Sequence, residues 1–169
     1  MARPEDVFEI EEEDLLGRLG RLWTKSGWVE TPTLAPVVNP IKNAVPPREI
    51  RWLGFGIIMT NSYIIWRHYG ALATEMGVHR LLGVEGPVMT DSGAYQILVY
   101  GSVEVDPLEI VKYQVELGSD IGVILDIPTR HDTPAEVVRE EVEETIRRAR
   151  EALGVERGDM LLVLSLIHI

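Results

Sequence analysis

The chain contains no cysteine. That excludes disulfides, and with them any thiolate-held zinc or iron–sulfur centre built from these residues. It also suits a reducing compartment. No stretch of about 18 consecutive apolar residues occurs, so no membrane span is expected. The first residues, Met1-Ala-Arg-Pro-Glu-Asp6, lack an apolar h-region, and no signal peptide is expected. No Gly-x-Gly-x-x-Gly follows a predicted strand, which weakens a dinucleotide-binding fold; Gly17-Arg-Leu-Gly-Arg21 is expected to lie in a helix. Basic residues are also short, with 16 Lys and Arg against 27 Asp and Glu, for a net charge of −11. Taken alone, that balance speaks against a nucleic-acid partner.

What is present is a chain of 169 residues that is 46% apolar, long enough to bury a core and too apolar for a disordered one. The charge is uneven. Residues 1–30 hold 8 acids and 4 bases, residues 31–103 hold 4 and 5, and residues 104–169 hold 15 and 7. The near-neutral middle is where a site is expected, and the acidic ends read as solvated faces.

Leu15, Leu16, Leu19 and Leu22 fall at helical spacing, so Asp6–Lys25 is expected to form a helix ended by Gly27. Three prolines in Thr31–Pro40 predict extended chain with one or two short strands, and Pro46-Pro47 marks residues 43–53 as a loop. Gly56–Thr60 reads as a strand, and Ser62–Ala73 as a helix capped by Asn61 or Ser62. Beyond residue 83 the pattern becomes regular. A strand at Pro87–Thr90 ends on Asp91. A helix at Pro107–Leu117 has Asp106 as its cap. A buried strand follows at Asp120–Asp126. Thr133 caps a helix over Pro134–Leu153, and Met160–Leu164 begins another strand. Alternating strands and helices with short connections predict a parallel α/β sheet, either a (β/α)8 barrel or a doubly wound sheet. A complete barrel takes about 250 residues, more than this chain has.

In a barrel, residues at the C-terminal ends of strands line the active site, and Asp91 and Asp126 stand at two such ends. Gly93 would let backbone approach a ligand, and Tyr95 offers a flat stacking face. Two acids, small residues and an aromatic suit a planar polar molecule, and paired carboxylates can serve a glycosidic bond. Turn residues or helix caps would satisfy the same spacing. The four Trp at 23, 28, 52 and 66 read as core or interface, and Arg48, Arg51 and Arg67 as ordinary surface cations.

Met89-Thr-Asp-Ser-Gly-Ala-Tyr-Gln96 resembles the signature of the tRNA-guanine transglycosylases. The continuation Val99–Pro107 and the stretches Thr31–Pro40, Thr60-Asn-Ser-Tyr63 and Gly118–Asp126 resemble the archaeal, archaeosine-forming branch. The resemblance implies a (β/α)8 barrel that exchanges guanine at position 15 of the tRNA D-arm for 7-cyano-7-deazaguanine (preQ0) through a covalent ping-pong mechanism. It implies a pentosyltransferase that is cytoplasmic and, at full length, zinc-bound and homodimeric. By the same resemblance Asp91 is the catalytic carboxylate, as nucleophile or as acid/base. Asp126 would hold the base edge, Ser92 and Gln96 would flank the base, and Tyr95 would stack on it. Stacking of that kind is worth about 1–3 kcal/mol per base.

The sequence departs from the family after residue 164. A Val-Gln-Gly stretch is expected there, and Ser165-Leu-Ile-His-Ile169 stands instead. The family's later Asp, its Cys/His zinc ligands and its archaeal RNA-binding domains have no counterpart in this sequence. The expectation is therefore an N-terminal part of the catalytic barrel over residues 1–164, a tail of other origin at 165–169, no metal bound by this piece, and no activity of the piece alone. The alternatives are a bacterial-type enzyme using queuine or 7-aminomethyl-7-deazaguanine (preQ1), an unrelated carboxylate-based barrel glycosidase, and an inactive half-barrel.

Overall fold

The computed structural model describes residues 7–94 and 105–164. Two sheets organise them. The first is antiparallel, in the order β1 (Phe8–Asp14), β2 (Gly17–Thr24) and β3 (Gly27–Thr31). The second is parallel, in the order β4 (Ile58–Asn61), β5 (Val88–Asp91), β6 (Ile121–Val123) and β7 (Leu161–Val163). Described helices are α1 (Pro47–Trp52), α2 (Ser62–Tyr69), α3 (Ala71–Met76), α4 (Val78–Leu82), α5 (Pro107–Glu116) and α6 (Ala135–Ala152).

The first sheet corrects the expected helix at Asp6–Lys25. Leu15 and Leu16 occupy a two-residue hairpin loop between Asp14 and Gly17, which pair with each other, and Gly27 opens β3 at φ 128°. Gly17-Arg-Leu-Gly-Arg21 therefore lies on a strand. A Cβ on Gly20 would stand 2.3 Å from the Glu9 carbonyl oxygen, so the β1–β2 pairing requires glycine there. The helical leucine spacing arose from two turn residues and two strand residues that happen to fall in phase.

The second sheet follows the sequence pattern more closely. Its strands lie in chain order, and α2 to α5 pack on one face through Ile58, Ile65, Val88, Ile110 and Leu117, all fully buried. A doubly wound sheet would reverse its strand order and carry helices on both faces. Sequential parallel strands with helices on a single face form part of a (β/α)8 barrel, the fold class expected. The opposite face meets the first sheet, where Val29 of β3 packs with Ile57 and Ile121 near the beginnings of the parallel strands. The outer edge of β4 is covered by the Pro-rich segment. Val38 N donates to the Met59 carbonyl at 2.7 Å, and Met59 N to that of Pro36 at 2.9 Å. A single bridge, Val37 to Met59, replaces the one or two strands expected there.

Other differences are local. Residues 43–53, expected as a loop, include α1, started by Pro47 in its first turn. The helix expected at Ser62–Ala73 divides at Gly70, whose φ of 50° ends α2 before α3 begins. The strand expected over Asp120–Asp126 is hydrogen-bonded as ladder only across Ile121–Val123. Thr133 does not cap α6; Pro134 holds the cap position without a side-chain bond. Asp106 caps α5 as expected, accepting from Leu108 N at 2.8 Å and Glu109 N at 3.2 Å.

Buried polar groups lock helix to sheet. Gln114 of α5 is fully buried; its Oε1 accepts from Val123 N at 3.0 Å, and its Nε2 donates to the Val123 carbonyl at 2.9 Å. The Thr90 hydroxyl lies 2.8 Å from Gln114 Oε1. At the other end of the strands, the buried Asp120 carboxylate accepts from Val88 N and meets the His79 ring, each at 2.8 Å. Burial opposes its charge, but the hydrogen bonds from His79, Ser26 and Val88, with the His79 charge, hold its carboxyl below the ordinary range. Arg51 is no surface cation. Its guanidinium donates to the carbonyls of Phe55, Gly56 and Pro87. Of the four Trp, Trp66 packs against the core, while Trp52 is 85% exposed.

Candidate active site

Three chemically capable side chains converge at the C-terminal ends of β4, β5 and β6. Asn61 and Asp91 are register partners at the ends of adjacent strands. Asn61 Nδ2 donates to Asp91 Oδ2 at 3.0 Å, and Asn61 Oδ1 accepts from Ile64 N at 2.9 Å, capping α2. The Ser62 hydroxyl donates to the Asp91 carbonyl at 2.6 Å. Strand end, helix start and carboxylate are thereby one hydrogen-bonded unit. Gly93, at φ 93°, and Ser92 turn their backbone N–H groups toward the Asp91 carboxylate.

Asp126 follows β6 and is 7% exposed. Burial raises its carboxyl above the ordinary range; its own backbone N–H opposes this, the Asp91 charge adds to it, and the Arg148 charge opposes it. Asp91 is raised too, by burial first, against the hydrogen bonds from Gly93, Ser92 and Asn61. Two carboxyls biased toward their neutral forms, each sensing fixed hydrogen bonds or charge, form an arrangement able to hold, give and take a proton.

The structure thus brings Asp91 and Asp126 to the same end of the sheet. Ser92 is fully buried, and its hydroxyl donates to the Ile124 carbonyl at 3.2 Å, tying β5 to the segment that carries Asp126. Tyr95 and Gln96 lie outside the described residues, as does the tail from 165 to 169. Asn61 reads in the sequence as a possible cap and as part of the Thr60-Asn-Ser-Tyr63 stretch; its place at a strand end is the signal for its contact with Asp91. Among the described residues no three His, Asp or Glu side chains come together as a metal site. The chain also has no cysteine to serve as a thiolate ligand.

The fold is part of a barrel with two carboxyls brought to one end of its parallel strands, and comparison gives the family. The family profile of Queuine tRNA-ribosyltransferase matches residues 13–165. The chain belongs to that family. A tRNA-guanine(15) transglycosylase of Aeropyrum pernix is 53% identical over 153 residues, which is 90% of this chain and 30% of that protein. Proteins of the same name from Methanopyrus kandleri and Pyrobaculum aerophilum are 50% and 51% identical, covering 89% and 92% of this chain and 33% and 31% of theirs. The chain spans about a third of the length of these relatives.

Proposed function

We propose that these residues supply part of the base-exchange site of a tRNA-guanine transglycosylase, one that replaces guanine at position 15 of tRNA with preQ0. The observation that supports this most directly is the pair of carboxyls, half-buried Asp91 and buried Asp126, at the C-terminal ends of neighbouring parallel strands. The archaeal relatives, which carry the position in their name, favour the guanine(15) reaction over a queuine- or preQ1-using one.

In this reading Asp126 accepts hydrogen bonds from the ring N–H and exocyclic amine of the base, adjacent donors that a carboxylate matches well. A carboxylate attacks ribose C1′, the bond to guanine N9 breaks, and guanine leaves as it takes up a proton. The incoming deazaguanine loses its N9 proton and attacks C1′, which releases the carboxylate with overall retention. One N-glycosidic bond replaces another, so no energy source is required. Asp91 either attacks or moves the proton, and a carboxyl raised by burial suits the second role. Zinc, much of the tRNA contact and any dimer interface belong in this reading to parts of the enzyme outside this chain, and the enzyme works in the cytoplasm. No described helix is long and apolar enough to cross a membrane.

The test is a chimera in which residues 7–164 replace the matching segment of the Aeropyrum pernix relative. Labelled guanine should enter tRNA and be displaced by preQ0, and the 169-residue chain alone should exchange none. Displacement by queuine or preQ1 but not preQ0 would reassign the substrate. Sugar hydrolysis without guanine exchange would replace the proposal with a glycosidase.

A further inference from the structure

The arginines near the end of α6 differ sharply in what they touch. Arg147 is exposed and ion-paired on the helix surface, with Glu144 at 2.7 Å and Glu151 at 2.5 Å. Arg148 turns inward; its side chain is 16% exposed. Its Nε donates to Glu144 Oε1 at 2.9 Å, and its Nη1 donates to the Leu125 carbonyl at 3.3 Å. One turn earlier on the same helix, the buried Thr145 hydroxyl accepts from Ile127 N at 3.1 Å.

These two contacts flank a single residue. Leu125 and Ile127 are the chain neighbours of Asp126, and the ladder of β6 ends at Val123. Past Val123 the segment keeps one sheet bond, Ile124 N to the Val163 carbonyl at 3.0 Å. The backbone on either side of Asp126 is held by α6. We propose that Arg148 and Thr145 are positioning residues for Asp126: they fix the segment that presents its carboxyl, and Arg148 adds a compensating cation behind it.

The device answers a physical need. A carboxylate that accepts two donors from a base edge must be ionised and correctly placed, yet Asp126 is buried beside a second acid. The charged groups acting on it are Asp91, from the end of β5, and Arg148, from α6. The first favours the neutral form and the second the ionised form. Glu144 keeps the guanidinium in place through the same carboxylate that pairs with Arg147. Thr145 carries no charge and contributes placement alone. The inference rests on the base-reading role proposed for Asp126, but its first test does not.

That test follows the Asp126 carboxyl by carbon-13 NMR titration in the 169-residue chain, with no ligand present. Arg148→Met should raise its midpoint by about half to one pH unit. Arg148→Lys should recover most of that shift, and Arg147→Met should leave the midpoint unchanged. Equal midpoints in wild type and Arg148→Met would overturn the electrostatic half of the proposal. Should Arg148→Met fail to fold, Thr145→Val tests the placement half. In the chimera described above it should raise KM for guanine about tenfold, with kcat changed far less. A KM unaltered by both Thr145→Val and Arg148→Lys would overturn it. Absence of guanine exchange in the unsubstituted chimera would sink the functional proposal and leave the titration result standing.

Discussion

The two sheets handle the same side chains in opposite ways. On the antiparallel sheet, acids stand in solvent and meet bases at the surface, as in Arg18–Glu13 at 3.1 Å and Arg21–Glu11 at 2.8 Å. Pairs of that kind contribute about 0–1 kcal/mol. Its large apolar residues are also half in water, with Ile10, Leu19, Trp23 and Trp28 between 41% and 48% exposed. On the parallel sheet, Ile58, Val88, Ile121 and Val123 are at most 3% exposed; Asp120 and Asp126 are buried and Asp91 is half-buried. The net charge of −11 is therefore a poor guide to partners. Most of the excess is solvated, and a few acids, Asp120 and Asp126 among them, are taken out of water.

Replacing an acid in each sheet should break this comparison most visibly. In the chimera, Asp91→Asn should lower guanine exchange by about a thousandfold, the scale of a lost acid–base or nucleophilic group. Glu12→Gln on β1 should leave the rate within about twofold, since a solvated surface acid is nearly neutral to change. Loss of activity in Glu12→Gln, or its retention in Asp91→Asn, would mean that chemistry is not confined to the parallel sheet.

The same contrast should appear in stability. Ile58 is fully buried among helices and strands, and Ile58→Ala should cost about 3 kcal/mol in urea unfolding. Leu16 is 100% exposed, and Leu16→Ala should change stability by no more than about 0.5 kcal/mol. Comparable losses would show that the hairpin loop is covered in solution.

The difference between the sheets also explains what could be read in the sequence. β5, β6 and α5 were legible because burial imposes continuous apolar runs, and because caps such as Asp106 and Pro107 act locally. The first sheet was misread because a half-solvated strand needs only loose alternation, and Leu15 and Leu16 add apolar residues that face no core. Its real signals were short, Asp14-Leu-Leu-Gly17 and Thr24-Lys-Ser-Gly27, each a tight connection ending in glycine. At the site, Asp91 and Asp126 were legible from strand ends and resemblance. The Arg148 contact was not, because Arg147, Arg148 and Arg150 look alike in one dimension. Only the spacing of Thr145, Arg148, Ala149 and Ala152, which places them on one helix face, separates the inward arginine from its neighbours.

Buried acids should also give the parallel sheet its own pH dependence. Burial raises the carboxyls of both Asp91 and Asp126, so the folded chain binds these protons more tightly than the unfolded chain does. By linkage, their contribution to stability is fully present below the unfolded carboxylate range, near pH 3.9, and is lost as pH rises through the raised folded values. Asp126→Asn should thus gain stability over wild type at pH 7, and the gain should shrink toward pH 3. Asp120 works in the other direction, since its lowered carboxyl contributes stability that is lost on acidification. Urea midpoints of wild type and Asp126→Asn at the two pH values isolate the first effect, because Asp120 is common to both. A gain independent of pH would contradict the assignment.

The smallest effect separates two neighbours on the hairpin. Leu15 and Leu16 are 97% and 100% exposed, so neither loses packing on truncation. Their backbones differ: Leu15 has φ 54°, and Leu16 is not among the positive-φ residues. A positive φ at the first loop position alone is the pattern of a type II′ turn, which favours glycine there. Leucine in that conformation carries about 1–2 kcal/mol of strain. Glycine relieves it but loses about 0.5–1 kcal/mol through the greater freedom of the unfolded chain. Leu15→Gly should therefore stabilise the protein by about 0.5–1 kcal/mol. Leu16→Gly, with the same entropic loss and no strain to relieve, should destabilise it by a similar amount. Urea midpoints that move in the same direction for both variants would refute the turn assignment. Opposite signs from adjacent, equally solvated leucines would show that backbone geometry in the hairpin loop acts on stability independently of burial.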